Sequence, residues 1–431
     1  MERVFFPLDE ELKLLPGDLT PRVVESIVRL GTWMPFVPVT QGLDYFCKVS
    51  VSEPTARRKT EQAGQAYVEV QTAQAETIAR DDPAPPAGPA VQQLSVDGAL
   101  VPLLHREWGE VKTVAIGVVG PPVPNKRTGE PEVHATELSY FSRLTDHVTF
   151  SRLATVETHR RGTATAGTVC AVNDGADWEQ QFVDDHRPDA VRILDWGHGA
   201  EHVGEVRRAV FGSATPAGDA WRTEHLTELK TGDPTTVLED LRHLRDALAA
   251  GTQRGVEADA LKVVTTNLAY FEKRADQIRY AAFERAGYPI GSGAVESGNK
   301  LVVEARLKGA GMHWAPAHVD PLVALRTVAC SDRWEEAWPQ IVDQWRADTQ
   351  ARSAARRAEP KAADATAVAP SPPETAVAPR LKTSAVAVAP EPMPSAGASV
   401  EHPKRVPWRP AADHPWRRPS GSKAHHQQLV C

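Results

Sequence analysis

Apolar residues recur at helical spacing in TPRVVESIVRLGTWM, from Thr20 to Met34, with Thr20 placed as N-cap and Pro21 as first helical residue. The stretch VTQGLDYFCKVSVSEPTARRKTEQAGQAYVEVQ, residues 39–71, then predicts a short helix, a turn over Lys48–Val51 and a longer helix capped by Ser52. That order is a helix-turn-helix. Arg57, Arg58 and Lys59 fall early on its second helix, where such motifs carry recognition residues. A plain helical hairpin with a solvated basic turn fits the same pattern.

From residue 91 the period changes. VQQLSVDGALVPLL and EVKTVAIGVVG are β-branched runs, the first partly alternating, and predict neighbouring strands. AGTVCAVNDGADW is a further apolar run that stops at Asn-Asp-Gly; WEQQFVDDHRP follows as a helix. DAVRILDWGHGAEHV reads as a strand ending in Asp195, with His198 at the start of the next helix. Strands alternating with helices predict an α/β sheet core. Residues 214–287 carry only helical patterns, and the core resumes at YPIGSG, before the helical VESGNKLVVEARLKGAGMHW. Two segments break the patterning: the Pro-rich DDPAPPAGPA at 81–90, and an Ala/Pro/Val-rich C-terminal part that cannot bury enough apolar surface to offset its conformational entropy. The expected organisation is a helical DNA-binding region (1–80), a linker (81–90), the first part of the core (91–213), an all-helical insertion (214–287), the last part of the core (288–345) and a disordered tail (346–431).

Three acids stand out within this frame. Asp97 lies in or just after the first strand, Asp174 where the strand TVCAVN stops, and Glu296 at the start of a helix after the insertion. Ligands in open α/β sheets gather at the carboxyl ends of strands, so these acids can converge there. Three carboxylates are hard donors suited to Mg²⁺ or Mn²⁺, and a two-ion site serves phosphodiester chemistry. Each residue has an ordinary reading as well, since Asp-Gly after a strand spells a turn and Glu at a helix start complements the dipole. The Gly291-Ser292-Gly293 run predicts a tight turn or close backbone approach leading to Glu296. Lys300, Arg306 and Lys308, downstream of Glu296, either meet DNA phosphates or form a solvated face.

Composition narrows the classes. No window approaches 18 uninterrupted apolar residues and the N-terminus lacks the basic-then-apolar order of a signal peptide, so no membrane partner is expected. The four cysteines form no CxxC pair, which argues against a zinc ribbon and fits a reducing cytoplasm. The net charge is −7, yet the chain from Arg346 onward holds 13 Lys and Arg against 7 Asp and Glu. Any nucleic-acid contact must therefore use local basic surfaces.

The blocks LSVDGALVPL, EWGEVKTVAIG, VNDGADW, ILDWGHGAEHV, IGSGAVESGNKLVVEARLKGAGMHW and ALRTVACSDRWEEAW, in this order, resemble the ISKra-type insertion-sequence transposases. These are bacterial DDE enzymes with an RNase H-like core, and the likeness runs from about Phe5 to about Trp338. The resemblance implies an RNase H-like fold with a first Asp on strand one (Asp97), a second after strand four (Asp174) and a Glu after an all-helical insertion (Glu296), together holding two Mg²⁺ or Mn²⁺ ions. A Cys-or-Asp, two residues, then His signature corresponds to Asp195 and His198 in a supporting role; the rival assignment makes Asp195 the second metal ligand. The implied activity is binding of the element's terminal inverted repeats, strand cleavage and transfer into target DNA by a dimer or higher multimer, in the cytoplasm on the nucleoid. Family members carry more sequence upstream, often with a cysteine-bearing segment, and the tail has no family counterpart. A catalytically inactive or truncated copy acting only by binding DNA, or an RNase H-like nuclease on the same core, is the alternative.

Overall fold

The computed structural model describes residues 15, 19–124, 129, 131–212, 215–251 and 255–358. Five strands form one mixed sheet: β1 (Val91–Pro102), β2 (Trp108–Val119), β3 (Ala135–Leu144), β4 (Thr168–Asn173) and β5 (Val191–Leu194), in spatial order β3-β2-β1-β4-β5. The first three run antiparallel to their neighbours, while β4 lies parallel to β1 and β5 parallel to β4. The protein is thus mixed α/β, as the alternating patterns predicted.

Alternation along β1 sets the two faces of the sheet. Leu94 and Val96 point to a core with Val114, Ile116, Phe141, Phe150 and Phe182, covered by α4 (His147–Arg160) and α5 (Asp177–His186). The odd-numbered positions face the other way and begin with a polar row, Gln93, Ser95 and Asp97, before Ala99 and Val101 join a second core. This polar row explains why the run alternates only in part. Gln93 Nε2 donates to Ser95 Oγ and to the Gly291 carbonyl, tying β1 to the chain returning from the helical insertion.

The N-terminal helices are part of this body. α1 (Pro21–Trp33), capped by Thr20, is followed by α2 (Phe36–Gly42), a π-helical turn (Leu43–Cys47) and left-handed Lys48, and α3 (Glu53–Asp81) starts behind Ser52, whose hydroxyl accepts from Thr55 N–H. Ile27, Phe36, Val39 and Leu43 share one core with Ala99, Val101, Val111 and Val303. α3 packs along α13 (Val319–Cys330) and α14 (Trp334–Ala358), so closely that a Cβ on Gly64 would lie 2.1 Å from the Pro321 carbonyl oxygen. The boundary expected at residue 80 is therefore absent from the packing; residues 19–358 lie in one compact unit. The Pro-rich stretch is likewise held down: Thr165 Oγ1 accepts from Gly88 N–H and donates to the Pro86 carbonyl. Helix α14 continues to Ala358 with Trp345 buried, past the residue-346 boundary of the expected tail; the remainder of that tail lies outside the described residues.

The intervening helices are α6 (Trp196–Phe211), α7 (Pro216–Thr231), α8 (Pro234–Gly251), α9 (Gly255–Lys273) and α10 (Tyr280–Arg285). Their apolar faces form one core with Cys170, Val172, Ile193 and Leu194 of β4 and β5. α11 (Gly293–Gly298) passes through a π-helical segment (Asn299–Glu304) into α12 (Ala305–Leu307) and packs on β1 and β2. Among the described residues, no helix is long and apolar enough to cross a membrane.

Candidate metal centre

Two backbone features deliver acids to the carboxyl edge of the sheet. Asp97 sits where β1 has left its parallel partner, since the β1–β4 pairing ends at Leu94 and Ala171. Asn173, the last residue of β4, bridges the gap: its side-chain oxygen accepts from Val96 N–H at 2.7 Å and its carbonyl from Asp195 N–H at 2.7 Å. Asp174 follows, and Gly175 turns the chain into α5 at φ +89°. A Cβ on Gly175 would meet the Arg274 side chain at 2.3 Å, so glycine is required on both counts. Tyr270 and Arg274 of the insertion clamp the turn, donating to the carbonyls of Asp174 and Gly175. Asp-Gly is a turn here, and the turn presents Asp174 as a donor.

Oxygens of Asp97, Asp174 and Glu179 lie within 4.8 Å of one another, and the three carboxylates can hold a metal ion. Glu179 is the member that sequence reasoning missed, because in WEQQFVDDH it reads as a surface acid of an amphipathic helix. It is instead buried, on the first turn of α5, and its Oε2 accepts from the N–H groups of Gly175 and Ala176 at 3.1 and 3.2 Å. Its only sequence signal is the spacing of a capping acid three residues after Ala176. Burial, a hydrogen bond with Asp174, and the Asp174 and Asp97 charges push its pKa up to about 10. Burial likewise lifts Asp97 above its ordinary value, reinforced by the Asp174 charge and offset by hydrogen bonds from Gly98 and Asn299. Carboxylates crowded in this way need a proton or a cation among them.

Asp97 is fixed at both oxygens: Gly98 N–H donates to Oδ1 at 2.6 Å and Asn299 Nδ2 to Oδ2 at 2.8 Å. Asn299 is buried and lies one turn beyond Glu296. Glu296 is exposed, accepts from Ser292 Oγ at 3.3 Å and stands 3.9 Å from Lys300 Nζ. It is not a member of the three-acid cluster. The Gly-Ser-Gly run does carry the chain back to the sheet, but by its serine: Ser292 N–H donates to Asp195 Oδ1 at 2.6 Å, while a Cβ on Gly291 or Gly293 would meet nothing within 4 Å. The expected close approach at these glycines is absent.

Asp195 caps α6. Its Oδ2 accepts from His198 N–H at 2.9 Å and pairs with His198 Nδ1 at 3.1 Å. Burial works against ionisation of Asp195, but the bonds from His198 and Ser292 outweigh it and hold its pKa below the ordinary value. The same Asp195 bond raises that of His198. With both oxygens engaged, Asp195 braces the β5–α6 junction against the returning chain, and it too is outside the acid cluster.

The six basic residues expected at DNA divide. Arg57 and Arg58 are exposed, Arg57 pairing with Glu61 at 2.7 Å. Lys300 is exposed, and Lys308 pairs with Glu304 at 2.7 Å. Lys59, only 8% exposed, stacks over Trp345, and Arg306, 2% exposed, donates to the Gly31 carbonyl while lying over Phe36 and Trp314. Both are structural cations, because aromatic faces and a main-chain acceptor replace their water. No protein-family model matches the chain, and no curated protein matches its sequence.

Proposed function

We propose that this chain is a DDE-type transposase with an RNase H-like core. The observation that carries the reading is the meeting, within 4.8 Å, of acids from β1, from the end of β4 and from the helix that follows. An all-helical insertion between β5 and the Glu296 helix supports it further, in the order that the resemblance implies. Three hard oxygen donors, partly buried and crowded enough that a proton or a cation must sit among them, fit Mg²⁺ or Mn²⁺. When bound, such ions would activate a water or hydroxyl and stabilise the leaving oxygen of a phosphodiester.

The chain's own residues prepare that site. Gly98 and Asn299 hold the Asp97 carboxylate in one orientation, and Tyr270 and Arg274 hold the Asp174 turn. Glu179 would supply the third oxygen, giving up its proton when a cation is held there. Glu296, one turn before Asn299, would serve a second ion from the α11 side. Asp195 and His198 keep β5, α6 and the Ser292 loop in register. A dimer or larger assembly on DNA follows from the need to handle two element ends together.

The test is Mg²⁺-dependent processing of a donor plasmid carrying the inverted repeats that flank the gene. Cleavage with joining to target supports the transposase reading. End binding without nicking leaves only a DNA-binding protein, and nicking indifferent to the ends leaves a nuclease. Asp97→Asn should abolish cleavage with end binding retained; cleavage by that variant removes Asp97 from the chemistry.

A further inference from the structure

The β1–β2 hairpin outruns its sheet. Pairing with β4 stops at Leu94 and pairing with β3 starts at Val111, yet β1 and β2 stay paired out to Pro102 and Trp108. The tip therefore projects about 17 Å beyond Asp97, five residues at roughly 3.4 Å each, on the side where the acids gather. One face of this ribbon is packed: Ala99, Val101 and Leu103 belong to the core beneath it. The other face is bare, leaving Trp108 62%, Leu100 53% and Leu104 44% exposed.

Three features separate this tip from an ordinary solvent-facing turn. His105 and Arg106 both adopt left-handed φ, at 61° and 64°, in a turn where Gly or Asn would sit without strain. The tip is also held rigidly, with Leu104 N–H donating to the Trp314 carbonyl and Trp314 N–H to that of Pro102, while Trp314 Nε1 donates to the Leu307 carbonyl. Finally, none of the described residues forms an ion pair with Arg106, although the chain as a whole is acidic. A rigid, strained apex thus presents Arg106, flanked by His105 and Glu107, between exposed Leu104 and Trp108, about 17 Å beyond Asp97.

We propose that this hairpin tip is a DNA contact, with Trp108 and Leu104 against the face of an unstacked base at a strand end and Arg106 on the adjacent phosphate. The assignment rests on the transposase reading and adds to it the part of the protein that meets the strand outside the acidic cluster. Aromatic faces accept any base, and a cation beside them fits the polyanionic backbone. The tip stands about 17 Å from Asp97, the rise of about five stacked base steps, so the contact falls on the strand outside the acidic cluster.

The experiment uses the full chain and two fluorescein-labelled 30-mer probes, a blunt duplex and the same duplex with one splayed end, read by anisotropy across a salt series. Trp108→Ala should weaken binding to the splayed probe about tenfold and to the blunt one less than about twofold, with Trp108→Phe restoring most of the loss. Arg106→Ala should lower the salt slope by about one for both probes. Wild-type affinity in Trp108→Ala and Arg106→Ala overturns the proposal. So does a variant that breaks up a multimer in solution with DNA affinity unchanged, which makes the tip a contact between copies. A wild-type chain that binds neither probe brings down the transposase reading itself, and this contact with it.

Discussion

Replacing Glu179 by Gln separates a metal ligand from a helix cap. In the cation-free protein the Glu179 pKa stands near 10 instead of the ordinary 4.5, so the folded state keeps a proton that the unfolded chain releases. A raised carboxyl contributes its full stability below pH 4.5 and loses it as pH climbs toward 10, at about 1.4 kcal/mol per unit. At pH 7 the wild-type fold therefore carries a penalty of about 3 kcal/mol that a glutamine does not. The amide oxygen can still accept from Gly175 and Ala176, and its NH₂ can donate to Asp174 in place of the carboxyl proton. Urea denaturation in EDTA should show Glu179→Gln more stable than wild type at pH 7 and 8, with the difference shrinking toward zero near pH 4.5. At pH 7, adding Mn²⁺ should reverse the order, since ion at about a thousand times Kd stabilises wild type by about 4.1 kcal/mol, more than that penalty, and the variant lacks a ligand. A variant destabilised equally at all pH values, with the full wild-type response to Mn²⁺, would show that Glu179 only caps α5.

Three further outcomes follow from the same geometry. Asn299→Ala should weaken Mn²⁺ binding by about 10- to 100-fold in an EPR titration with circular dichroism unchanged, because it frees the Asp97 carboxylate without touching a ligand. His186 is half-buried against Phe182, and desolvation pulls its pKa down to about 4 despite hydrogen bonding to the Ser151 carbonyl. Its contribution is complete above pH 6.5 and is lost between 6.5 and 4, up to about 3 kcal/mol; the urea midpoint of His186→Gln should fall less than that of wild type over this range. Gly64→Ala forces a methyl into the Pro321 carbonyl and should cost about 1–3 kcal/mol by chemical denaturation, or more if α3 and α13 separate.

Local chemistry was enough to read much of this chain. The Ser52 and Thr20 caps, the left-handed turn at Lys48, the strands β1, β2, β4 and β5, the helical insertion and the Asp174-Gly175 turn all depend on neighbours a few positions away, which the order of residues encodes directly. β3 escaped because its buried stretch includes Ser139, Ser142 and Arg143, whose partners are remote: Thr113 pairs with Ser142, and Gln71 with Arg143. Charge misled for the same reason. Lys59 and Arg306 look like phosphate ligands until Trp345, Phe36 and Trp314, far away in sequence, are brought over them. The acid cluster belongs to the tertiary structure as well. One strand sets Asp97, another ends at Asp174, and only the packing of α5 onto the sheet decides that Glu179, and not Glu296, joins them in the cluster. Burial turns a common surface acid into a group that keeps its proton near pH 7, because it removes water that remote side chains must replace.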